Sequence, residues 1–406
     1  MNIIKRSQYL QKLDAYRKNG RLKVITGLRR VGKSTLMSEF ANGLDDSGDK
    51  SCIHSYNFEN PNLYFEKSWK NIYDDIVSKL KANNWNYVFL DEVQNIDGFE
   101  KLIDGLFIMP EVDLYVTGSN AYLLSSEYAT LLTGRYIELH LLPFSFSEYC
   151  LAMNVDIKNK YLNLETAFQD YIDETSLPKG VELSKLGKTA VSQYLRSVYA
   201  TIVEKDIFQR AGINKQARVF TNILRYIIAN IGSPLSPNNI ANALKSDGQN
   251  IHHLTVEKYI KCLTDCYFLY EVSRFDIRGK MQLATQEKYY LSDLGFRNII
   301  IGRDDKVDRG HLLENIVYLE LLRRDYQVWV GKANRKEVDF IARNKENVPN
   351  YFQVAYTIKD AKTLEREISA LKIVKDNYPK TILTTDNEES FVDGIEIRNV
   401  YKWLLS

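Results

Sequence analysis

Apolar positions recur along the chain at two spacings, and each change of spacing marks an element. Over residues 6–18 Tyr9, Leu10, Leu13 and Tyr16 fall at helical intervals on an otherwise polar segment, which predicts a helix packed across the edge of the first domain. The apolar run at 22–25 predicts a strand, and 34–44 returns to a helical period. A second strand follows at 51–58, a helix at 69–81, and apolar strands at 87–90 and 113–117. An amphipathic helix at 193–210 carries Tyr194, Leu195, Val198, Ile202 and Ile207 on one stripe and reads as a connector. Three helical segments come next, at 219–231, 237–244 and 254–269, then strands at 268–275 and 287–291 with Gly279 and Lys280 between them. The last third opens with a helix from Gly310 to Arg323 and continues with strands at 327–330, 337–342 and 351–355.

Composition narrows the classes. A chain of 406 residues exceeds one ordinary core and calls for two or three domains. With 45% hydrophobic and 26% charged residues it has the usage of a soluble globular protein, which excludes a disordered chain. The net charge of +2 excludes a polycation, so any nucleic-acid contact must come from a local patch. Cys52, Cys150, Cys262 and Cys266 match no zinc spacing with His252 and His253, and they read as buried thiols. No run approaches the ~18 apolar residues of a membrane span, and the amino terminus has no apolar leader core, so a cytoplasmic location is expected.

Candidate chemistry centres on Gly27-Leu28-Arg29-Arg30-Val31-Gly32-Lys33-Ser34-Thr35, which fits G-x-x-x-x-G-K-[ST] between a predicted strand and a predicted helix. Amides of such a loop converge on phosphate oxygens, Lys33 adds charge at the β- and γ-phosphates, and the Ser34 hydroxyl is a ligand for Mg²⁺. The strand at 87–90 ends in Asp91-Glu92, which assigns Asp91 to the metal and Glu92 to a general base. The strand at 113–117 leads to Ser119 and Asn120, placed to orient water or γ-phosphate, with a helix cap as the other reading. Arg135 follows Gly134 and is a candidate finger delivered to a neighbouring subunit's phosphate, against a solvated or salt-bridged arginine. The three helices and basic-tipped hairpin describe a winged helix, with Lys258, Lys261, Arg274, Arg278 and Lys280 as either phosphate contacts or a solvated face.

The runs GLRRVGKST, FLDEVQ, VTGSNAYLLS, LLTGR and LPFSFSEY, in that order, resemble the AAA+-type ATPases of bacteria and archaea that carry the carboxy-terminal domain of unknown function 4143. The resemblance covers the chain nearly end to end. It implies a nucleotide site at Gly27 to Thr35, magnesium and hydrolysis roles for Asp91 and Glu92, a sensor at Ser119 or Asn120, and a candidate finger at Arg135. It implies ATP, and no Asn-Lys-x-Asp guanine signature stands against that. One departure is the turn Glu174-Thr175-Ser176-Leu177-Pro178-Lys179-Gly180, where similar chains carry a Gly-Gly-x-Pro-like sequence.

The last third is similar to the PD-(D/E)XK restriction-endonuclease fold, with Glu314 on a helix, Asp339 on a strand, and Gln353 and Ala355 where active members hold an acid and a lysine. A neutral amide and a methyl cannot replace those groups, so the domain is expected to be degenerate. The expectation is therefore an α/β chain: a P-loop core with a parallel sheet at 1–150, a helical connector or lid at 151–215, a winged helix at 216–305 and a nuclease-like domain at 306–406. Its expected ligands are ATP and Mg²⁺. DNA, bound through the winged helix or the last domain, and a second copy of the chain are the further partners left open. The rival readings are an ATP-gated, metal-dependent DNA nuclease and a non-hydrolysing, ATP-binding oligomeric regulator.

Overall fold

The computed structural model describes residues 4–44, 52–60, 68–118, 134–156, 161–209, 217–246, 248–249, 251–277, 279, 281–302, 308–333 and 336–406, with backbone alone at 161–162 and 282–285. The chain gathers into two compact units, Met1–Pro143 with Asp265–Tyr267, and Phe144–Thr264 with Phe268–Ser406.

The first unit runs α1 (Ser7–Ala15), β1 (Leu22–Thr26), α2 (Lys33–Leu44), β2 (Ile53–Asn57), α3 (Trp69–Lys79), β3 (Asn86–Asp91), α4 (Phe99–Phe107), β4 (Val112–Thr117) and β5 (Tyr136–His140). Its five strands pair in the order β2-β3-β4-β1-β5, and every pair is parallel. A parallel sheet is covered on both faces, which is why these strands read as unbroken apolar runs. Alternate residues divide between two cores. Val88, Leu90, Leu114 and Val116 join α3 and α4 through Ile72, Ile76, Leu102 and Leu106. Tyr87, Phe89 and Tyr115 point the other way, to Leu36 and Phe40 of α2 and Tyr9 and Leu13 of α1. The helix expected over 69–81 ends at Lys79, because Leu80 is already extended at φ −62° and ψ 140°.

One buried ion pair crosses this sheet. Lys23 of β1 meets Asp113 of β4, and Tyr115 donates its hydroxyl to the same carboxylate at 2.8 Å. Burial lowers the Lys23 ammonium, and Asp113 opposes that change.

The second unit begins with helices α5 (Phe146–Met153), α6 (Tyr161–Asp173), α7 (Pro178–Ser184) and α8 (Lys188–Thr201), the last continuing into a π-helical stretch, Ile202–Gln209. The SFSE of the LPFSFSEY run is a capping box: Ser145 accepts from the Glu148 amide and Glu148 accepts from the Ser145 amide. The departing turn has a definite partner as well. The Asp293 carboxylate accepts from the Thr175 hydroxyl at 2.9 Å, the Ser176 amide at 2.6 Å, the Ser176 hydroxyl at 2.7 Å and the Gly295 amide at 2.8 Å.

Then follow α9 (Ala217–Ala229), α10 (Pro237–Ser246), α11 (His253–Asp265), β6 (Leu269–Asp276), β7 (Met281–Leu291), α12 (Gly295–Ile301), α13 (Arg309–Arg323), β8 (Gln327–Ala333), β9 (Lys336–Arg343), β10 (Pro349–Ala355), α14 (Ala361–Leu371), β11 (Lys380–Thr384), β12 (Ser390–Val392), β13 (Ile395–Asn399) and α15 (Val400–Leu405). An eight-stranded sheet takes the order β12-β13-β11-β10-β9-β8-β6-β7. Strands β8, β9 and β10 form an antiparallel meander, and β11 lies parallel to β10. The hairpin β6–β7 pairs through β6 with β8 in parallel, so the strands expected as a wing share a sheet with those of the last third. Among the described residues no helix is long and apolar enough to cross a membrane.

Candidate active site

The loop after β1 holds its shape through three residues at positive φ: Gly27 at 137°, Arg30 at 69° and Gly32 at 101°. Gly27 has a second constraint, since a Cβ there would stand 2.2 Å from the Leu141 carbonyl oxygen. Arg30 adopts this conformation without being glycine, which places backbone strain in the loop itself. Leu28 and Val31 are buried and tie the loop into the unit, while Arg30 and Thr35 are exposed and Arg29 comes within 3.8 Å of Glu59.

Lys33 is 3% exposed, and its ammonium donates to the carbonyls of Gly27 at 3.1 Å and Leu28 at 3.3 Å. It also stands 3.6 Å from the Glu92 carboxylate. The strand order explains how Asp91 meets the loop. Strand β4 lies between β1 and β3, so the end of β4 projects a residue between the two. That residue is Thr117, whose hydroxyl donates to Asp91 at 2.5 Å and accepts the Glu92 amide at 2.8 Å. Burial pushes the Asp91 carboxyl up from its ordinary value; hydrogen bonds from Thr117 and Ser34 oppose this, Glu92 adds to the rise and Lys33 opposes it. Glu92 itself sits at φ 52° and ψ 47°, at the start of a 3₁₀ turn, Val93–Asn95. Gln94 of that turn donates its side-chain amide to the Glu92 carboxylate.

A second cluster borders the loop. Thr26, the residue before Gly27, donates to Glu138 at 2.6 Å and meets His140 Nδ1 at 3.0 Å. Tyr267, from the short segment counted with this unit, packs its ring 4.5 Å from His140 and reaches Glu138 at 3.3 Å. Burial first, and then the Lys33 ammonium, drive the His140 imidazole down to about 4.

The comparisons with known proteins agree with this geometry. Residues 19–150 match the family described as AAA domain, and residues 166–307 match a domain of unknown function, number 8612. An uncharacterised protein of Haemophilus influenzae is 35% identical over 406 residues, covering 99% of each chain. This chain belongs to that protein's family, and it carries an AAA-type P-loop domain. An uncharacterised protein of Methanocaldococcus jannaschii is 28% identical over 411 residues, covering 95% of this chain and 88% of its own. A Walker-type ATPase of Pyrococcus abyssi shares the fold with a TM-score of 0.50 at 16% identity, over 74% of this chain and 96% of its own. The match over 166–307 is to domain 8612, and it does not show the domain 4143 of the resemblance.

Within the AAA domain, the residues singled out in the sequence meet different fates. Lys33, Ser34, Asp91 and Glu92 come together. Ser119 and Asn120 lie outside the described residues. Arg135 is half exposed, 3.5 Å from Asp104 and over the Phe107 ring at 5.9 Å. Thr117, Gln94, His140 and Tyr267 were not singled out. A threonine closing an apolar strand was a visible signal for the first, whereas nothing local to Tyr267 marks it.

The second unit brings Glu314 and Asp339 into one neighbourhood and adds a cation. Lys288 of β7 stands 2.8 Å from Glu314 and 2.7 Å from Glu337, and Tyr290 donates to Glu314 at 2.5 Å. Burial works against the Lys288 ammonium, yet Glu314, Asp339 and Glu337 outweigh it and raise it above its ordinary value. Asp339 accepts the Val354 amide at 2.8 Å, and Gln353 accepts the Asp339 amide at 3.3 Å. Among the described residues no group of three or more His, Cys, Asp or Glu is arranged to hold a metal.

Proposed function

We propose that this chain binds ATP with Mg²⁺ at Gly27 to Thr35 and hydrolyses it, and that nucleotide state is the input controlling the helical, hairpin and carboxy-terminal parts. The observation that carries the reading is the convergence of a buried lysine, a serine hydroxyl and two carboxylates on the ends of β1, β3 and β4. The loop amides and Lys33 grip the phosphates, at a helix start suited to anions. Mg²⁺ fits the donor set, because Ser34 and Asp91 offer the hard oxygens it prefers, and when bound it would neutralise phosphate charge. Glu92 takes a proton from the attacking water, Asn120 is a candidate for sensing the γ-phosphate, and Arg135 is a candidate finger for a second copy of the chain.

For the last third the reading is a scaffold. Lys288 pairs with Glu314 and Glu337 and feels the charge of Asp339, so these carboxylates already have a cation as partner, which weighs against nuclease chemistry.

The test is thermal and chemical unfolding with and without Mg-ATP, together with phosphate release. At a hundredfold excess over Kd, ligand binding to the folded state stabilises it by about 2.7 kcal/mol. Wild type should gain a shift of that order and release phosphate; Lys33→Ala should do neither. Identical melting of the two proteins with Mg-ATP would overturn the proposal.

A further inference from the structure

Among the described residues, one buried acceptor beside Glu92 has no donor. The Glu92 carboxylate accepts a hydrogen bond from Gln94 Nε2, and a carboxylate offers no hydrogen in return. That contact decides which way the Gln94 amide faces. Its oxygen, Oε1, is buried and has no hydrogen-bond partner among the described residues. Buried acceptors are nearly always satisfied, and an orphan next to a reacting group marks a place for a ligand or a water.

The surroundings hold this arrangement in place. Glu92 is left-handed at φ 52°, which carries the chain out of β3 and straight into the 3₁₀ turn that bears Gln94. Val93 and Ile96 on either side of Gln94 are buried in the core formed with α3 and α4. Asn95 adds a tie from its side-chain amide to the Phe58 carbonyl at 3.3 Å. A side chain mounted this way loses little freedom when it engages a water, as a preorganised polar group must.

We propose that Gln94 orients the attacking water: its N–H fixes the Glu92 carboxylate, and its carbonyl oxygen accepts one hydrogen of the water whose other hydrogen faces Glu92. The proposal rests on the reading of this site as an ATPase. In the step itself, the water oxygen forms a bond to the γ-phosphorus and the bond to the β–γ bridging oxygen breaks, its electron pair leaving with ADP. One water proton passes to Glu92 and from there to the departing phosphate or to solvent. Gln94 neither gains nor loses a proton.

Gln94→Met keeps the length and removes both amide functions. It should lower kcat by about 10- to 100-fold while KM and nucleotide Kd stay within about threefold, because the interaction lost acts on the water and not on bound ATP. An unchanged kcat, or a Kd that weakens in parallel with it, would sink the proposal. The second measurement does not depend on turnover. A high-resolution crystal structure of the wild-type protein with Mg²⁺ and a non-hydrolysable ATP analogue should show an ordered water within about 3.2 Å of Gln94 Oε1 and also beside Glu92. A protein donor on Oε1 in that structure overturns the proposal. Wild type that binds ATP and releases no phosphate overturns the hydrolysis reading instead, and the crystallographic water then still decides whether Gln94 holds one.

Discussion

Thr117 shows what a single hydroxyl contributes when it serves two partners. It donates to Asp91 at 2.5 Å and accepts the Glu92 amide at 2.8 Å, so one atom sets the position of both acids. Thr117→Val keeps the shape and leaves a buried N–H and a buried carboxylate each short of a bond. The expected loss is about 1–3 kcal/mol in urea unfolding, with lower Mg-ATP turnover. A variant within error of wild type in both assays would mean that the hydroxyl is dispensable. The acids themselves were legible in the sequence, because an apolar strand ending in Asp-Glu after a complete glycine loop is a specific pattern. Thr117 was not, although its strand was, since its role depends on β4 lying between β1 and β3. Lys288 is not legible for a related reason: it meets Glu314 from β7, and the two residues belong to different elements whose contact no local pattern encodes.

At the scale of elements, the first sheet was readable because parallel strands covered on both faces leave continuous apolar runs. Two charges interrupt those runs, Lys23 in β1 and Asp113 in β4, and their pairing explains why a buried strand tolerates each. Asp113→Ala strands the lysine in the core and should cost about 3–5 kcal/mol. Replacing both residues with leucine, together with Tyr115→Phe to remove the hydroxyl that would lose its acceptor, should recover most of that stability, and a triple variant as unstable as the single one would contradict the pairing argument. The hairpin was harder to read. Strand β7 covers Met281–Leu291 where the periodicity gave 287–291, and its partner β6 adds to the larger sheet through β8. Hydrophobic spacing predicts that a strand exists, but the identity of its neighbour is settled by contacts between distant segments, which no local pattern encodes.

For the molecule as a whole, the chain gathers into two compact units, and the first of them holds the glycine loop and its acids. Acid sensitivity should carry the mark of His140. Its folded-state value of about 4 lies below the ordinary 6.5, so between those values the unfolded chain takes up a proton that the folded chain refuses. Stability should therefore fall as pH drops through that window and level off for this residue below it. The groups facing the ring include the Thr26 hydroxyl at Nδ1, the Tyr267 ring and, by its charge, Lys33. Urea unfolding at about pH 7.5 and about pH 5 should show a larger drop for wild type than for His140→Gln, and equal drops would exclude the imidazole as the cause. The amino-terminal helix has a practical bearing on how this protein is handled. Arg6 is 4% exposed and reaches back to the carbonyls of Leu142 at 2.9 Å, Pro143 at 3.4 Å and Val31 at 3.5 Å. A recombinant fragment trimmed to the AAA match would begin at residue 19 and discard that guanidinium, leaving the rim of the glycine loop without its staple.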